Sequence, residues 1–179
     1  MRKSVNIHGL KFMLLISSPK IRDAVTGIAK KIDKDFKNQN PMFLAVLNGS
    51  FLFAADLLKK IKTECEISFI KVSSYAGTAS TGKVNTLIGV SENLNKRPVI
   101  ILEDIVDSGN TLEVVMNEIK KHNPDGVRVA TFFFKPEAYR KKIPLDYVGL
   151  EVPNKFLVGY GLDHDGLGRN LEDIYALES

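Results

Sequence analysis

The sequence predicts an α/β fold, in which a mostly parallel central sheet is flanked by helices. Two segments, 42–62 and 98–121, each run from a continuous apolar strand through a glycine-containing turn into a helix. Strands without polar alternation are typical of parallel sheets, which are buried on both faces. We expect the functional residues at the carboxyl ends of these strands, because ligands of such sheets bind there.

A long amphipathic helix is predicted over residues 19–36. Ser18 can cap its N terminus, and Pro19 suits the first helical position because the N–H that proline lacks would be unpaired there. Apolar residues recur every three or four positions and form one stripe: Ile21, Val25, Ile28, Ile32 and Phe36. This stripe indicates a core element and not a site.

The other elements alternate between strands and helices. Two helices are predicted, an apolar one at 51–62 after the turn at 48–50, and an amphipathic one at 111–122 after the turn at 103–110. The predicted strands are short apolar or β-branched runs at 42–47, 66–72, 83–90, 98–102, 127–134, 146–150 and 156–160.

Composition indicates one globular domain, residues 1–179, which is large enough to bury roughly 70% of its unfolded surface. The single Cys65 excludes an intramolecular disulfide, and without a Cys/His cluster a structural zinc site is not expected. The apolar run at 12–16 is too short for a signal sequence or a membrane span. We therefore expect a cytoplasmic protein without a membrane partner.

The basic character of the chain, with a net charge of +4 and a pI near 9.1, suits an anionic partner. That partner is either nucleic acid or a phosphorylated small molecule, and a solvated basic surface explains the charge equally well. The sequence contains neither a winged-helix segment nor a clustered basic face, so we expect no nucleic-acid partner.

Two turns at the expected ligand edge have the features of anion-binding loops. In NGS at 48–50 and DSGNT at 107–111, a glycine precedes a helix and leaves backbone N–H groups free at the positive end of its dipole. Ser108 and Thr111 add hydroxyl donors. A single glycine turn is often only a turn, but two at one edge indicate a substrate with two separate phosphate groups.

Three carboxylates, Glu103, Asp104 and Asp107, precede or open the second loop. Glu103 and Asp104 are expected at the end of a strand, where side chains alternate, so that only one of them faces the pocket fully. Adjacent carboxylates accept hydrogen bonds from a vicinal diol and can hold Mg²⁺ through water or sugar oxygens. Asp107 is free to accept a proton. Helix capping would explain Asp107 but not the pair.

The stretch VIILEDIVDSGNT, residues 99–111, resembles the phosphoribosyl-diphosphate binding motif of type I phosphoribosyltransferases. Three further segments resemble parts of the bacterial-type hypoxanthine-guanine phosphoribosyltransferases: 46–57 the pyrophosphate loop, 73–84 the lid and 135–171 the purine-binding hood. The resemblance implies the type I phosphoribosyltransferase fold. In that fold a small hood, formed here by the N-terminal segment and about 135–179, covers the sheet edge.

The resemblance implies a role for each matching residue on the donor side. Glu103 and Asp104 would hold the ribose hydroxyls, and Asp107 would be the catalytic proton acceptor or donor beside purine N7. The 5′-phosphate would be bound by Ser108, Gly109, Asn110 and Thr111. The pyrophosphate would be bound by Asn48, Gly49 and Arg169.

On the base side, Lys135 would donate to the 6-oxo group, Phe156 would stack on the ring and the Leu157 backbone would meet the N1/C2 edge. A lysine that only reaches solvent at a strand end is the alternative for Lys135. Asp163 would lie near the purine and help to hold Mg²⁺, together with Glu103 and Asp104. Ser74 and Tyr75 would belong to the lid, which would exclude water from the activated sugar.

The implied reaction transfers a 5-phosphoribosyl group from phosphoribosyl diphosphate to N9 of a 6-oxopurine, with Mg²⁺ as cofactor and electrostatics as the main source of catalysis. A xanthine-preferring or uracil-using transferase and a non-catalytic regulator that senses phosphoribosyl diphosphate are the alternatives. The resemblance suggests a homodimer or homotetramer.

Some residues depart from the patterns that they resemble. Asn48 and Asn110 stand where eukaryotic relatives carry lysine, and an unusual peptide geometry is expected at Asn48–Gly49. The segment at 77–84 ends on Val84 where a P-loop needs Ser or Thr, and the segment at 163–174 lacks EF-hand ligands. His8 and His122 are expected on the surface without assigned partners, and His164, between two acids, is expected to be a surface loop residue and not a metal ligand.

Overall fold

Two sheets organise the part of the chain that the structure describes, residues 2–74 and 84–178 of a computed structural model. The strands are β1 Ser4–Ile7, β2 Leu10–Ile16, β3 Met42–Leu47, β4 Glu66–Ser74, β5 Val84–Ile88, β6 Val99–Val106, β7 Val127–Phe134, β8 Tyr147–Glu151, β9 Leu157–Val158 and β10 Ile174–Leu177. The helices are α1 Ser18–Asp35, α2 Phe51–Leu58 and α3 Asn110–Lys120.

The larger sheet has the strand order β5-β4-β3-β6-β7-β8. Strands β4, β3, β6, β7 and β8 are parallel, and only β5 at the edge runs antiparallel to its neighbour among the strands described. The predicted α/β fold with a mostly parallel central sheet is confirmed.

Helices cover both faces of this sheet, which explains the apolar character of its central strands. Along β3, Phe43 and Ala45 pack with α1 and α2, whereas Leu44 and Val46 pack with α3. A strand that is buried on both faces needs apolar residues at every position. Among the helices described, none combines the length and the apolar character needed to cross a bilayer.

The smaller sheet is antiparallel, has the order β1-β2-β10-β9 and joins the two ends of the chain. Its own core consists of Ile7, Phe12, Val158 and Tyr175. The sequence predicted neither β1, β2 nor β10, and the strand predicted at 156–160 is only the two residues of β9. These strands are short and expose large apolar side chains such as Met13 and Leu15, so their hydrophobic pattern is weak.

Several predicted boundaries were wrong. The N-cap of α1 is Ser17, and Ser18 is the first helical residue, whose N–H donates to Asp173 Oδ1 at 2.7 Å. Helix α2 ends at Leu58 and not at residue 62. Strand β6 continues to Val106, so Glu103 and Asp104, which were expected at the strand end where the turn begins, lie inside the strand. The ladder to β7, which pairs Val106 with Phe134, holds this extension in place.

Candidate active site

A cavity of about 570 Å³ opens at the carboxyl ends of the parallel strands. The loop after β3, the end of β4, the end of β6 with its loop, and the residue after β7 all contribute to its wall. Residues 156–169, which include β9, form the opposite wall. The cavity therefore lies where a parallel α/β sheet binds its ligands.

The loop after β3 runs through Asn48 and Gly49 into α2. The unusual peptide bond expected at Asn48–Gly49 lies one residue earlier, since the cis bond is Leu47–Asn48. A Cβ at residue 49 would overlap the Asp104 carboxylate, and a Cβ at Gly161 would overlap the carbonyl oxygen of Gly49. Glycine is required at 49 because the Asp104 side chain on the neighbouring strand fills the space of a Cβ, and at 161 because the two walls approach each other there through their backbones.

The loop after β6 places the N terminus of α3 at the cavity. Gly109 is the N-cap and has φ of +86°, a conformation that other residues adopt only with strain. A Cβ on Gly109 would come within 2.6 Å of the Tyr139 ring and 2.8 Å of Lys141 Cγ. The segment after β7 therefore packs against the back of this loop, and the Arg140 N–H donates to the Ser108 carbonyl at 3.3 Å.

The adjacent acids Glu103 and Asp104 both line the cavity. Glu103 is only 4% exposed, and its Oε2 has no hydrogen-bond partner among the described residues. Burial, and then the neighbouring Asp104 charge, raise the pKa of Glu103 well above its usual range. A buried carboxyl oxygen without a partner is costly, and a ligand hydroxyl in the cavity would satisfy it.

Asp104 is less deeply buried than Glu103, and several groups around it shift its pKa in opposite directions. Burial raises its pKa to about 6, although the Ile105 N–H, which donates to Oδ1 at 2.8 Å, and the positive charge of Arg169 oppose the shift. The pKa values of both neighbouring carboxyls are thus raised above their usual range, that of Asp104 to about 6.

Asp107 and Lys135 form an ion pair across the cavity, with Lys135 Nζ at 2.9 Å from Asp107 Oδ2. The Lys135 side chain is 10% exposed and that of Asp107 49% exposed. Lys135 follows β7 directly and turns into the cavity, which rules out the alternative of a lysine that only reaches solvent. The pair places a hydrogen-bond donor next to a proton acceptor.

The opposite wall carries an aromatic ring and a second ion pair. Phe156 is 48% exposed and borders the cavity beside the buried Leu157. Arg169 Nη2 lies 2.6 Å from Asp163 Oδ1, and Arg169 Nη1 donates to the Gly161 carbonyl at 2.7 Å. A cation and a flat apolar surface thus face the carboxylates of β6.

The cavity gathers nearly all residues that the sequence singled out: Asn48, Gly49, Glu103, Asp104, Asp107, Ser108, Gly109, Asn110, Thr111, Lys135, Phe156, Leu157, Asp163 and Arg169. Of the two predicted lid residues, Ser74 ends β4, and Tyr75 lies outside the described residues. Val72 and Leu162 also line the cavity and were missed, because apolar side chains without a motif carry no chemical signal.

Comparison with known proteins gives the family. Residues 15–165 match the model of the phosphoribosyl transferase domain. The chain belongs to this family. The phosphoribosyltransferase resemblance predicted from residues 99–111 is therefore confirmed.

Relatives of this phosphoribosyltransferase agree with that assignment over nearly the whole chain. A hypoxanthine-guanine phosphoribosyltransferase of Streptococcus pyogenes is 40% identical over 166 residues, 92% of each chain. One of Streptococcus mutans is 41% identical over 171 residues, which covers 91% of this chain and 95% of the relative.

Solved structures show the same fold. A crystal structure of a hypoxanthine-guanine phosphoribosyltransferase from Bacillus anthracis has a TM-score of 0.87 at 38% identity, and covers 92% of this chain and 98% of that one. A hypoxanthine phosphoribosyltransferase from Staphylococcus aureus gives a TM-score of 0.87 at 32% identity, with 92% and 90% covered.

Proposed function

We propose that this phosphoribosyltransferase is a purine salvage enzyme that transfers 5-phosphoribosyl from phosphoribosyl diphosphate to N9 of hypoxanthine, and also of guanine. The products are IMP or GMP and pyrophosphate. The observation that carries the proposal is that two glycine loops, a pair of acids, Lys135 and, on the opposite wall, Phe156 share one cavity. The names of the relatives point to the same substrates.

The donor is proposed to bind across the two loops. Its 5′-phosphate suits the free N–H groups and hydroxyls of residues 108–111 at the N terminus of α3. Its pyrophosphate suits Asn48, Gly49 and Arg169 on the other side of the cavity. Asn48 and Asn110, which lack the charge of a lysine, leave most of the binding to backbone donors, helix dipole and Arg169.

Glu103 and Asp104 are proposed to grip the ribose between these phosphate sites. The Glu103 oxygen that has no partner among the described residues accepts a hydrogen bond from a ribose hydroxyl. An ionised Asp104 faces the positive charge that develops on the sugar as its bond to pyrophosphate breaks. A fixed negative charge in a partly dry site stabilises such a transition state far more than water does.

The base is proposed to lie between Phe156 and the Asp107–Lys135 pair. Lys135 donates to the 6-oxo group, Asp107 exchanges a proton at N7, and the Leu157 backbone meets the N1/C2 edge. Aromatic stacking on Phe156 adds about 0.5–1.5 kcal/mol beyond area burial. Lys135 is already held at 2.9 Å from Asp107, so the two groups that read neighbouring atoms of the purine are arranged before it binds.

Mg²⁺ is the proposed cofactor, and the donor set fits it because Glu103, Asp104 and Asp163 present carboxylate oxygens to one cavity. Among the described residues no three acids, cysteines or histidines cluster tightly enough to form a protein-only site. Substrate and water oxygens would therefore complete the coordination. When bound, the ion neutralises charge on the pyrophosphate leaving group.

Other parts of the proposal rest on the sequence argument. Ser74 and Tyr75 are proposed to belong to a lid that excludes water, and the smaller sheet with the residues after β7 is proposed as the hood within one domain, 1–179. A cytoplasmic location and a homodimer or homotetramer complete the proposal. No observation favours a xanthine-preferring enzyme or a regulator over the hypoxanthine-guanine enzyme that the relatives' names indicate.

A parallel assay tests the proposal. Phosphoribosyl diphosphate and Mg²⁺ are supplied with hypoxanthine, guanine, xanthine, adenine or uracil, and pyrophosphate release and nucleotide formation are measured. We expect turnover with hypoxanthine and guanine that exceeds turnover with adenine and uracil by at least tenfold. A preference for xanthine or uracil, or no turnover with any base, would contradict the assigned function.

A further inference from the structure

A cluster of aromatic and histidine rings lies behind Phe156. The His164 ring meets Phe156 edge-on, with centroids 5.4 Å apart and planes at 77°. Phe12, which is fully buried, lies 6.2 Å from Phe156 at 51°. His164 in turn packs edge-on against His8 at 5.4 Å and 85°. His164 was predicted as a surface loop residue, but its side chain is only 22% exposed and packs against two other rings.

Both histidines are held by tight turns. His8 and Gly9 form the turn between β1 and β2, and both have positive φ, +50° and +78°, as the preferred two-residue hairpin turn requires. The His164 N–H donates to the Leu167 carbonyl at 2.9 Å, and the Leu167 N–H returns a bond to His164 at 3.0 Å. Neither ring therefore sits on a loose loop.

Phe156 needs such support because almost half of it is exposed. An aromatic ring that must present one face to a flat ligand loses rotamer freedom on binding unless its neighbours have already fixed it. Phe12 and His164 pack against the ring, and neither of them lines the cavity that Phe156 borders. Edge-to-face contacts are the geometry in which such rings attract each other.

We propose that His164 is a positioning residue for base stacking, which fixes the Phe156 ring, and that the β1–β2 hairpin supports it through His8. The inference rests on the proposed function and deepens it, because it gives the N-terminal segment a part in base recognition. His164 acts through Phe156 and touches no substrate. Its planar ring is the property that matters, so another aromatic ring at this position performs the same role.

Steady-state kinetics with hypoxanthine test this inference. His164→Ala is expected to raise the KM for the base about threefold to tenfold, the range of an edge-to-face aromatic contact. The KM for phosphoribosyl diphosphate and kcat should stay within about twofold, because the phosphate loops and Asp107 are untouched. His164→Phe should restore the base KM. His122→Ala is the matched control, because His122 follows α3 and does not line the cavity.

His164→Leu keeps the bulk without the ring and should behave as His164→Ala, which secures the test if the alanine variant does not fold. His8→Ala should raise the base KM less, and should add nothing in a double variant that already lacks the His164 ring. A base KM unchanged in His164→Leu, equal increases in both KM values, or full additivity with His8→Ala would overturn the inference. Lack of wild-type turnover with 6-oxopurines would instead overturn the proposed function.

Discussion

Lys135 and Asp107, 28 residues apart in sequence, form an ion pair of 2.9 Å in the cavity at the ends of β6 and β7. The parallel ladder between these strands brings the two residues together, since Val106 pairs with Phe134, the residue before Lys135. The Lys135 N–H also donates to the Val106 carbonyl at 3.0 Å. The register of two buried strands thus sets the distance between the proposed proton acceptor and the proposed 6-oxo donor.

Asp107→Asn tests the proton-transfer role. The amide keeps the shape and can still accept a hydrogen bond from Lys135, but it cannot take up a proton. We expect kcat for IMP formation to fall by roughly 10²- to 10⁴-fold, the usual contribution of a general base. The KM for phosphoribosyl diphosphate should change much less. Asp23→Asn, at an exposed residue of α1, is the control, and equal rates for Asp107→Asn and wild type would refute the role.

Lys135→Ala tests recognition of the 6-oxo group. A hydrogen bond from a charged donor in a buried setting contributes about 1.5–3 kcal/mol, so the KM for hypoxanthine should rise roughly tenfold to hundredfold. Relative rates with hypoxanthine and adenine should converge. Lys142→Ala, a neighbouring exposed lysine, should leave both unchanged. Unaltered discrimination in Lys135→Ala would count against direct contact with the base.

Gly49→Ala tests the close approach of the loop after β3 to the Asp104 side chain. The new methyl group would overlap the Asp104 carboxylate, so either the loop or the acid must shift. We expect the KM for phosphoribosyl diphosphate to rise more than about tenfold, since both groups belong to the proposed donor site. Gly27→Ala in α1 has open space around its Cβ and should raise stability by up to about 1 kcal/mol without a kinetic effect. Wild-type donor kinetics in Gly49→Ala would disprove this view of the loop.

Asp104→Asn tests the electrostatic cost of the acid pair, measured as protein stability at two pH values. In the folded protein the pKa of Asp104 is raised from its ordinary value to about 6. The contribution of Asp104 to the free energy of unfolding is therefore most favourable below about pH 4, where the carboxyl is neutral in the folded and the unfolded protein, and it is lost as pH rises through 6. The amide is neutral throughout. The variant should therefore gain stability over wild type at pH 8 and not at pH 4.

The free energy of unfolding is expected to rise by about 1 kcal/mol. The full pKa shift of Asp104 represents roughly 3 kcal/mol, but solvent in the open cavity screens much of it. Thermal unfolding without ligands should then show a rise in Tm of about 2–4 °C at pH 8. A Tm difference that is the same at pH 4 and pH 8 would show that the charge of Asp104 is not the cause.

The sequence predicted the larger sheet well because local and global signals agree there. Continuous apolar runs such as 42–47 and 127–134 can be satisfied only by burial on both faces, and their strands match the predicted bounds. The acids at 103–104 show the opposite case. Their polarity suggested a turn, but the ladder with β7 continues past them to Val106 and keeps them in the strand.

Strand β10 of the smaller sheet could not be predicted because it pairs with β2, from the opposite end of the chain. Tyr175 pairs with Leu14 on one side and with Val158 on the other, and no local pattern announces either partner. The contact between His8 and His164 was hidden for the same reason. Residues with a chemical signature were found from sequence, whereas their supporting neighbours required the tertiary structure.

Strand β10, residues 174–177, lies between β2 and β9 and so joins the N-terminal hairpin to the wall that carries Phe156. The five parallel strands of the larger sheet, which carry both proposed phosphate loops, pair without it. Fraying of β10 would therefore loosen the purine side of the cavity and leave the donor side in place.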